Sequence, residues 1–436
     1  MFFKNKNCLH ILVKLSRLPF SLFYFFLMLS SANASPWLEA NDPFLRSSLV
    51  LLSDAGNISS PINIYPLRWS MFGDDLGVSK ASSDAFTVTT ANQEILYALN
   101  SIKLNRGNRL FKVSNSIYSP LLPSFGQFSE DEWGIYTSVD HLSRDFSYRF
   151  TIGYGEYSGE SELNWNDSYL SLSAGEWLFS IGNLNRWWGQ GWQHNLILAS
   201  YAKSAPDMSV SYMGLNAGLG SWFFESLISS PENNDVAYHS ATRLVSKPLN
   251  VFEYGVTYQV WLADLNSGEQ DQQLSIDAKL VLPSLDCLYH SVYSEVASTS
   301  NVSELGAWLI GWTGSFPIAN HSARIVLESQ QTTSAHDSTA WDLGDYPSVT
   351  ENVSNTSYLL DESQSIAFYL QLKNDHSFGL IYQKSKEDDK ETSSKQLTYR
   401  LPILSGMGHV GLSFDRTVGA GTDNDINVWA GYEFRF

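Results

Sequence analysis

Seven consecutive residues, Arg186-Trp187-Trp188-Gly189-Gln190-Gly191-Trp192, gather three indoles, a guanidinium and a carboxamide around two glycines. These types suit a saccharide: C–H faces of a sugar ring stack on indole, hydroxyls pair with Arg and Gln, and glycine permits close backbone approach. They equally suit packing, with the Trp rings filling space and Arg186 paired to a buried carboxylate. A second group, Trp341, Tyr346 and Tyr358, lies in a long polar stretch over 329–362. Those rings could be binding platforms on a loop or part of a membrane girdle. Four dipeptides, His239-Ser240, His290-Ser291, His321-Ser322 and His376-Ser377, invite a hydrolase reading. Neighbours in a strand point to opposite faces, so none of them joins a nucleophile to its base. Asp423-Asn424-Asp425 and Glu387-Asp388-Asp389 lack the Gly and distal Glu of a calcium loop and read as solvated acidic loops. No catalytic set, metal centre or cofactor is expected.

The elements that position these residues follow from charge, leader and periodicity. The 436 residues carry 27 Lys+Arg against 45 Asp+Glu, a net charge of −18, with no basic run that could track a phosphate backbone, so nucleic acid is not an expected partner. Residues 1–34 read as a secretory signal: Lys4, Lys6, Lys14 and Arg17, then an apolar stretch from Phe20 to Leu29, then Ala32-Asn33-Ala34. Cys8 falls inside it, which leaves Cys287 without a partner for a disulfide.

Past the leader, apolar and polar residues alternate in segments about ten residues long, as transmembrane strands require. Phe146, Tyr148, Phe150, Ile152 and Tyr154 share one face, with Ser147, Arg149, Thr151 and Gly153 on the other. Phe252 to Leu262 repeats the pattern, with Glu253, Gly255, Thr257, Gln259 and Trp261 opposite the apolar face. About 18 such segments fit between Arg109 and Phe436, an even number as bacterial single-chain barrels have. Tight connections near Ser143, Gly175, Pro248, Pro283, Asp375 and Ser405 interleave with longer ones near Asn195, Gly268, Asn352, Glu387 and Gly421. The last strand places Val428, Ala430, Tyr432, Phe434 and Phe436 on one face, a terminal aromatic signal of the kind read by the outer-membrane barrel assembly machinery.

The fold class expected is therefore an all-β transmembrane barrel of about 18 antiparallel strands over 109–436, preceded by a small α-helical periplasmic plug over 35–108. Within the plug, Asp42-Pro43 starts a helix that Gly56 closes, with Leu45, Leu49 and Leu52 on one face. A second helix is expected from Thr90, where Thr90-x-x-Gln93 forms a capping box and Ile95, Leu99 and Ile102 make a stripe. Both helices need an apolar burial site, and the barrel mouth or lumen supplies one.

Two stretches resemble the Wzi-type capsule-attachment family of Gram-negative outer membranes. One runs from Trp37 to Trp69, through Asp42-Pro43-Phe44-Leu45-Arg46, Asp54-Ala55-Gly56, Pro61 and Tyr65-Pro66-Leu67-Arg68-Trp69; the other is Asn185 to Trp192, followed by Leu196-Ile197-Leu198-Ala199-Ser200 and Ala205-Pro206. The resemblance implies an 18-stranded barrel plugged from the periplasm by helices. It also implies a lectin-like outer surface that holds capsular polysaccharide or exopolysaccharide, in contact with outer-membrane lipid and lipopolysaccharide. Gln190 stands where the pattern has a small residue or Pro, and the outer loops share no motif with the family. The polysaccharide-binding candidates are Arg186, Trp187, Trp188, Gln190, Trp192, Trp341, Tyr346 and Tyr358. The alternative function for the same architecture is a diffusion porin or substrate-specific channel.

Overall fold

The computed structural model describes residues 36–39, 41–76, 86–103, 108–117, 124–128, 131–143, 145–157, 160–199, 205–230, 237–262, 270–299, 301–333, 360–387, 390–419 and 421–436. The leader and the candidates Trp341, Tyr346 and Tyr358 lie outside these residues.

Eighteen antiparallel strands close on themselves. In chain order they are β1 Arg109–Ser116, β2 Trp133–Leu142, β3 Phe146–Tyr157, β4 in two pieces (Glu160–Asn164 and Tyr169–Ala174), β5 Trp177–Gly182, β6 Asp207–Asn216, β7 Gly220–Ser229, β8 Tyr238–Leu249 and β9 Phe252–Leu262. The circuit continues through β10 Gln270–Val281, β11 Tyr289–Ser298, β12 Leu305–Ile318, β13 His321–Thr332, β14 Glu362–Gln371, β15 Ser377–Glu387, β16 Lys390–Ile403, β17 Gly406–Val418 and β18 Thr422–Arg435. Both pieces of β4 pair with β3, which is why they count as one strand. The circle shuts where β18 pairs with β1, from Trp429↔Ser116 to Arg435↔Leu110, and Phe436 completes it by exchanging backbone hydrogen bonds with Arg109. Closure leaves no free sheet edge to satisfy in lipid, the condition for crossing a bilayer with strands.

The alternation read from sequence is the in/out alternation of the wall. On β3, Phe150, Ile152 and Tyr154 point outward, while Arg149 and Thr151 are buried inward. On β9 the inward row Glu253, Thr257, Gln259 and Trp261 is buried. Outward side chains such as Phe150, Ile276, Ile310, Leu380 and Ile426 are between 44% and 63% exposed. Large aliphatic and aromatic groups bare over an entire circumference are stable against hydrocarbon and not against water. No described helix is long and apolar enough to cross a membrane.

The ends of the barrel differ. Connections at 143–145, 175–176, 217–219, 250–251, 319–320 and 404–405 are tight and share one end with the start of β1 and with Phe436. That is the periplasmic end by the loop-length rule of outer-membrane barrels. The opposite end carries 117–132, 183–206 and 333–361. Two expected long connections are short: Glu387 pairs with Lys390 directly, and Val418 with Thr422. Acidic and glycine-rich composition made them look like loops, whereas the cross-strand register makes them hairpins.

Helix α1, Pro43–Asp54, and helix α2, Phe86–Lys103, lie inside the barrel and pack on each other. Asp42 caps α1 as expected, accepting from the N–H of Phe44 at 2.8 Å and Leu45 at 3.1 Å, with Pro43 at the first position and Gly56 in the left-handed region behind it. Leu49 and Leu52 are fully buried, as are Ile95 and Leu99 of α2, while the side chain of Ile102 lies outside the described residues. The start of α2 differs from expectation by one turn. Thr90 is internal, and its hydroxyl donates back to the Phe86 carbonyl at 2.9 Å in place of capping an N-terminus.

Candidate functional site

The Trp-rich segment follows β5 and leaves the wall altogether. Gly182 of β5 and Asp207 of β6 are cross-strand partners, and the described residues that follow β5, through Trp187–Trp188 and Leu198–Ala199, leave the outer end for the lumen. There Trp187–Trp188 pairs on one side with Ile64–Tyr65 of the N-terminal segment and on the other with Leu198–Ala199. The lumen is thus filled from both ends, and the two contributions meet as a three-stranded sheet.

Each candidate in this segment is buried, none above 6% exposed. Arg186 forms a two-pronged pair with Asp207, at 2.6 and 2.9 Å, and reaches Glu225 at 3.3 Å. The Trp187 indole donates to the Gly191 carbonyl at 2.8 Å. Trp188 is fully enclosed in the apolar core with Ile64, Leu196 and Ile197. Gln190 uses its amide on Glu253 at 3.0 Å and Asp277 at 3.3 Å. Trp192 lies beneath two guanidiniums, Arg46 at 4.5 Å and Arg324 at 5.6 Å from its ring centre. In this arrangement no indole face in the segment is open to an exterior polymer. The geometry is that of the packing alternative, including the buried carboxylate partner for Arg186.

What holds the segment is a row of carboxylates on the inner wall. Glu295 of β11 accepts from the N–H of Gln190 at 2.5 Å, Gly191 at 2.8 Å and Leu196 at 3.0 Å. Glu328 of β13 accepts from Trp192 at 2.5 Å and Gln193 at 2.8 Å. A buried loop has no ladder to satisfy its amides, and carboxylate oxygens supply acceptors in place of one. Gly189 is required here: its φ is 127°, and a Cβ would stand 2.4 Å from Glu295 Oε1. Arg46 of α1 closes the cradle from the other side, donating to the carbonyls of Gly191 and Gln190 at 2.9 Å each.

The same half of the wall clamps α1. Arg324 donates to the Ser47 hydroxyl at 2.8 Å and carbonyl at 2.9 Å, Lys279 pairs with Asp54 at 2.7 Å, and Lys247 reaches Ser53 at 2.7 Å. His194, in the lumen segment, bonds Ser363 at 2.8 Å, and burial pushes its imidazole down to about 4. Burial raises the Glu94 carboxyl of α2 to about 7, even though the Ser48 hydroxyl donates to it at 2.6 Å.

The sequence reading did not find Arg46, Glu295, Glu328, Asp207 or Glu225. Their signal was present as charge on the inward face of strands, for example Tyr293-x-Glu295 on β11, but their partners lie elsewhere in the chain. The His-Ser dipeptides behave as strand geometry dictates. His239 is buried against Gln259 at 3.2 Å, whereas Ser240 points the other way to the Leu227 carbonyl at 3.1 Å. Among the described residues no group of carboxylate, His and Cys side chains could hold a metal ion.

Comparison with known proteins agrees with this architecture. Residues 103–263 match the family model described as capsule assembly protein Wzi. The solved structure of Wzi from Escherichia coli, described as an outer-membrane protein involved in group 1 capsule assembly and a carbohydrate-binding β-barrel, superposes with a TM-score of 0.76 at 18% identity, covering 92% of this chain and 99% of that one. OprD from Pseudomonas aeruginosa reaches a TM-score of 0.48 at 8% identity over 75% of this chain and 94% of its own, too loose a likeness to argue from. No curated protein matches in sequence. The family match spans β1 to β9 and is to the capsule assembly protein Wzi family, and the 18-stranded wall with helices inside it is the fold of the Escherichia coli barrel.

Proposed function

We propose that this barrel anchors capsular polysaccharide or exopolysaccharide to the cell surface by non-covalent binding, without catalysis. The observation that carries the reading is the clasped filling of the lumen: the wall spends its charged inner face on holding α1 and the 183–199 segment in place, as a rigid scaffold needs and an open channel does not. The Wzi-family match and the carbohydrate-binding description of the Escherichia coli relative support it. Weak individual sugar contacts suffice, because a long repeating polymer meets many barrels at once. In this reading Arg186, Trp187, Trp188, Gln190 and Trp192 hold the scaffold. Direct outer contacts fall to the connection over 333–361, with Trp341, Tyr346 and Tyr358 as platforms. The chain would reach the outer membrane after cleavage behind Ala34, through the barrel assembly machinery reading its last strand, and would sit against lipopolysaccharide at the rim.

Purified protein tested against polysaccharide from its own strain should bind it, and Trp341→Ala should weaken binding while heat-modifiable electrophoretic mobility stays normal. Unchanged binding would remove Trp341 from the site. The channel alternative predicts large steady steps in planar bilayers; the clasped filling predicts negligible conductance.

A further inference from the structure

The wall divides its basic residues unevenly between its two faces. Arg149, Arg243, Lys247, Lys279 and Arg324 are buried inward, where they hold the plug or pair with wall carboxylates. Four others point outward near the outer end, and they stand on three adjacent strands: Lys384 and Lys386 of β15, Lys395 of β16 and Arg416 of β17, all exposed. Elsewhere on the outer half of the wall, the outward positions among the described residues carry no Lys or Arg; Asn115, Glu156, Gln272 and Gln331 stand near that end.

Cross-strand register fixes how the four cations sit. Lys384 pairs with Ser393 and Ser393 with Arg416, which puts Lys384 and Arg416 in one row, roughly 10 Å apart at the backbone. The row below reads Ile366, Tyr382, Lys395, Phe414 and Ile426 across five strands. Under it lie Leu380, Leu397 and Leu412, between 43% and 54% exposed. Lys395 is thus a cation at the upper edge of the lipid-facing band, where its stem lies along apolar surface and its ammonium must reach up to an anion at headgroup level. In the row above, Lys386 stands between Glu362 and Glu391. Lys384 forms an exposed pair with Glu391 at 2.8 Å, the kind of surface pair that contributes little and exchanges readily. Lys386, Lys395 and Arg416 have no ion pair among the described residues.

We infer that the outward face of β15, β16 and β17 is a docking site for a phosphorylated glycolipid of the outer leaflet, its phosphate held by Lys384, Lys395 and Arg416 and its acyl chains lying on Tyr382, Phe414 and the leucine row. A chain of net charge −18 repels an anionic leaflet as a whole, so cations concentrated at headgroup level confine the attraction to one arc of the circumference. The apolar rows directly beneath the cations select a lipid over a free phosphate or a soluble acidic polymer, which would use the cations alone. The inference rests on the reading that the barrel sits against lipopolysaccharide at its rim and deepens it, by giving that contact a side and a chemistry. It also orients the molecule: the arc borders β14, so the lipid would flank the foot of the 333–361 connection.

The test titrates the delipidated full barrel, in neutral detergent, with bis-phosphorylated lipid A and with the same lipid stripped of phosphate, scored by native mass spectrometry. The parent should bind the phosphorylated form at least about tenfold more tightly, and the triple variant Lys384→Gln, Lys395→Gln, Arg416→Gln should lose that preference. Lys373→Gln, which removes an exposed cation at the periplasmic end, should bind like the parent. Should the triple variant lose heat-modifiable mobility, the single Arg416→Gln carries the test with a smaller loss in the same direction. Equal binding of the two lipids by the parent, or parent-like affinity in a folded variant, would overturn the site. Displacement of lipid A by an equal concentration of inorganic phosphate would overturn the lipid as its occupant, and so would a triple variant that keeps lipid A but no longer binds the polysaccharide. Retention of polymer by cells is a separate readout: its failure would bear on the anchoring reading and leave the lipid preference standing.

Discussion

The two halves of the lumen are built from the same parts and used differently. On both, an aromatic ring lies on an inward glycine of the neighbouring strand: Tyr293 over Gly311 where the plug is seated, Tyr136 over Gly153 where it is not. Tyr293 is 3% exposed and donates to Glu328 at 2.7 Å, inside the cradle that holds Trp192 and Gln193. Tyr136 is half-buried and borders open space. Acidic groups divide the same way. Glu295 and Glu328 are consumed by backbone amides of the filling, whereas Asp140 is neutralised by a wall residue, Arg149. A ring on glycine is thus a recurrent building device of this wall, and what packs over the ring decides how much the position stabilises the fold.

The comparison predicts its largest effect at Glu295→Ala. Three backbone N–H groups would lose their acceptor in a buried site, at a cost of roughly 3–5 kcal/mol, read by urea unfolding in lipid vesicles, with the 183–199 segment becoming protease-sensitive. A variant that unfolds like the parent would mean the segment holds itself. Next, Tyr293→Ala should cost about 3–5 kcal/mol as a buried aromatic deletion, against under ~1 kcal/mol for Tyr136→Ala at a position with little packed over it. Equal losses would erase the distinction between the halves.

A pH dependence follows from His194. Its folded-state pKa lies near 4, below the ordinary 6.5, so the unfolded chain takes up the proton first. The contribution is fully present above pH 6.5 and is lost as pH falls toward 4, by about 3 kcal/mol at 1.36 kcal/mol per unit. His194→Gln should flatten that slope; a slope unchanged by the substitution would assign it elsewhere. Burial of Glu94 acts with opposite sign: its contribution is present below its ordinary 4.5 and fades as pH rises toward 7. A smaller effect than these is expected at Asp42→Ala, which removes the α1 cap and the Arg400 partner for about 1–2 kcal/mol, visible as a lowered urea midpoint.

Much of this wall is written in period-two alternation. Phe146 to Tyr154 and Phe252 to Leu262 face as their sequence says, and Asp42-Pro43 starts α1 because capping is a local interaction. The reading failed where the deciding contact was distant. Thr90-x-x-Gln93 looks like a cap but sits one turn inside α2, since burial of Val88 with Ile95 and Leu99 carries the helix further back. Arg186 to Trp192 reads as either a sugar-binding or a packing segment in sequence, because indoles and guanidiniums serve both roles. Only the positions of Glu295 and Glu328, more than a hundred residues away, turn the segment inward. Gly153, Gly411 and Gly431 read as weak strand residues for a similar reason, until the rings that cover them are seen.

The central claim, surface attachment, is tested most directly by fractionating polysaccharide between cell pellet and medium in a strain lacking this protein and in its parent. The account predicts an unchanged total with polymer displaced from the pellet into the medium. A distribution identical to the parent's would contradict it.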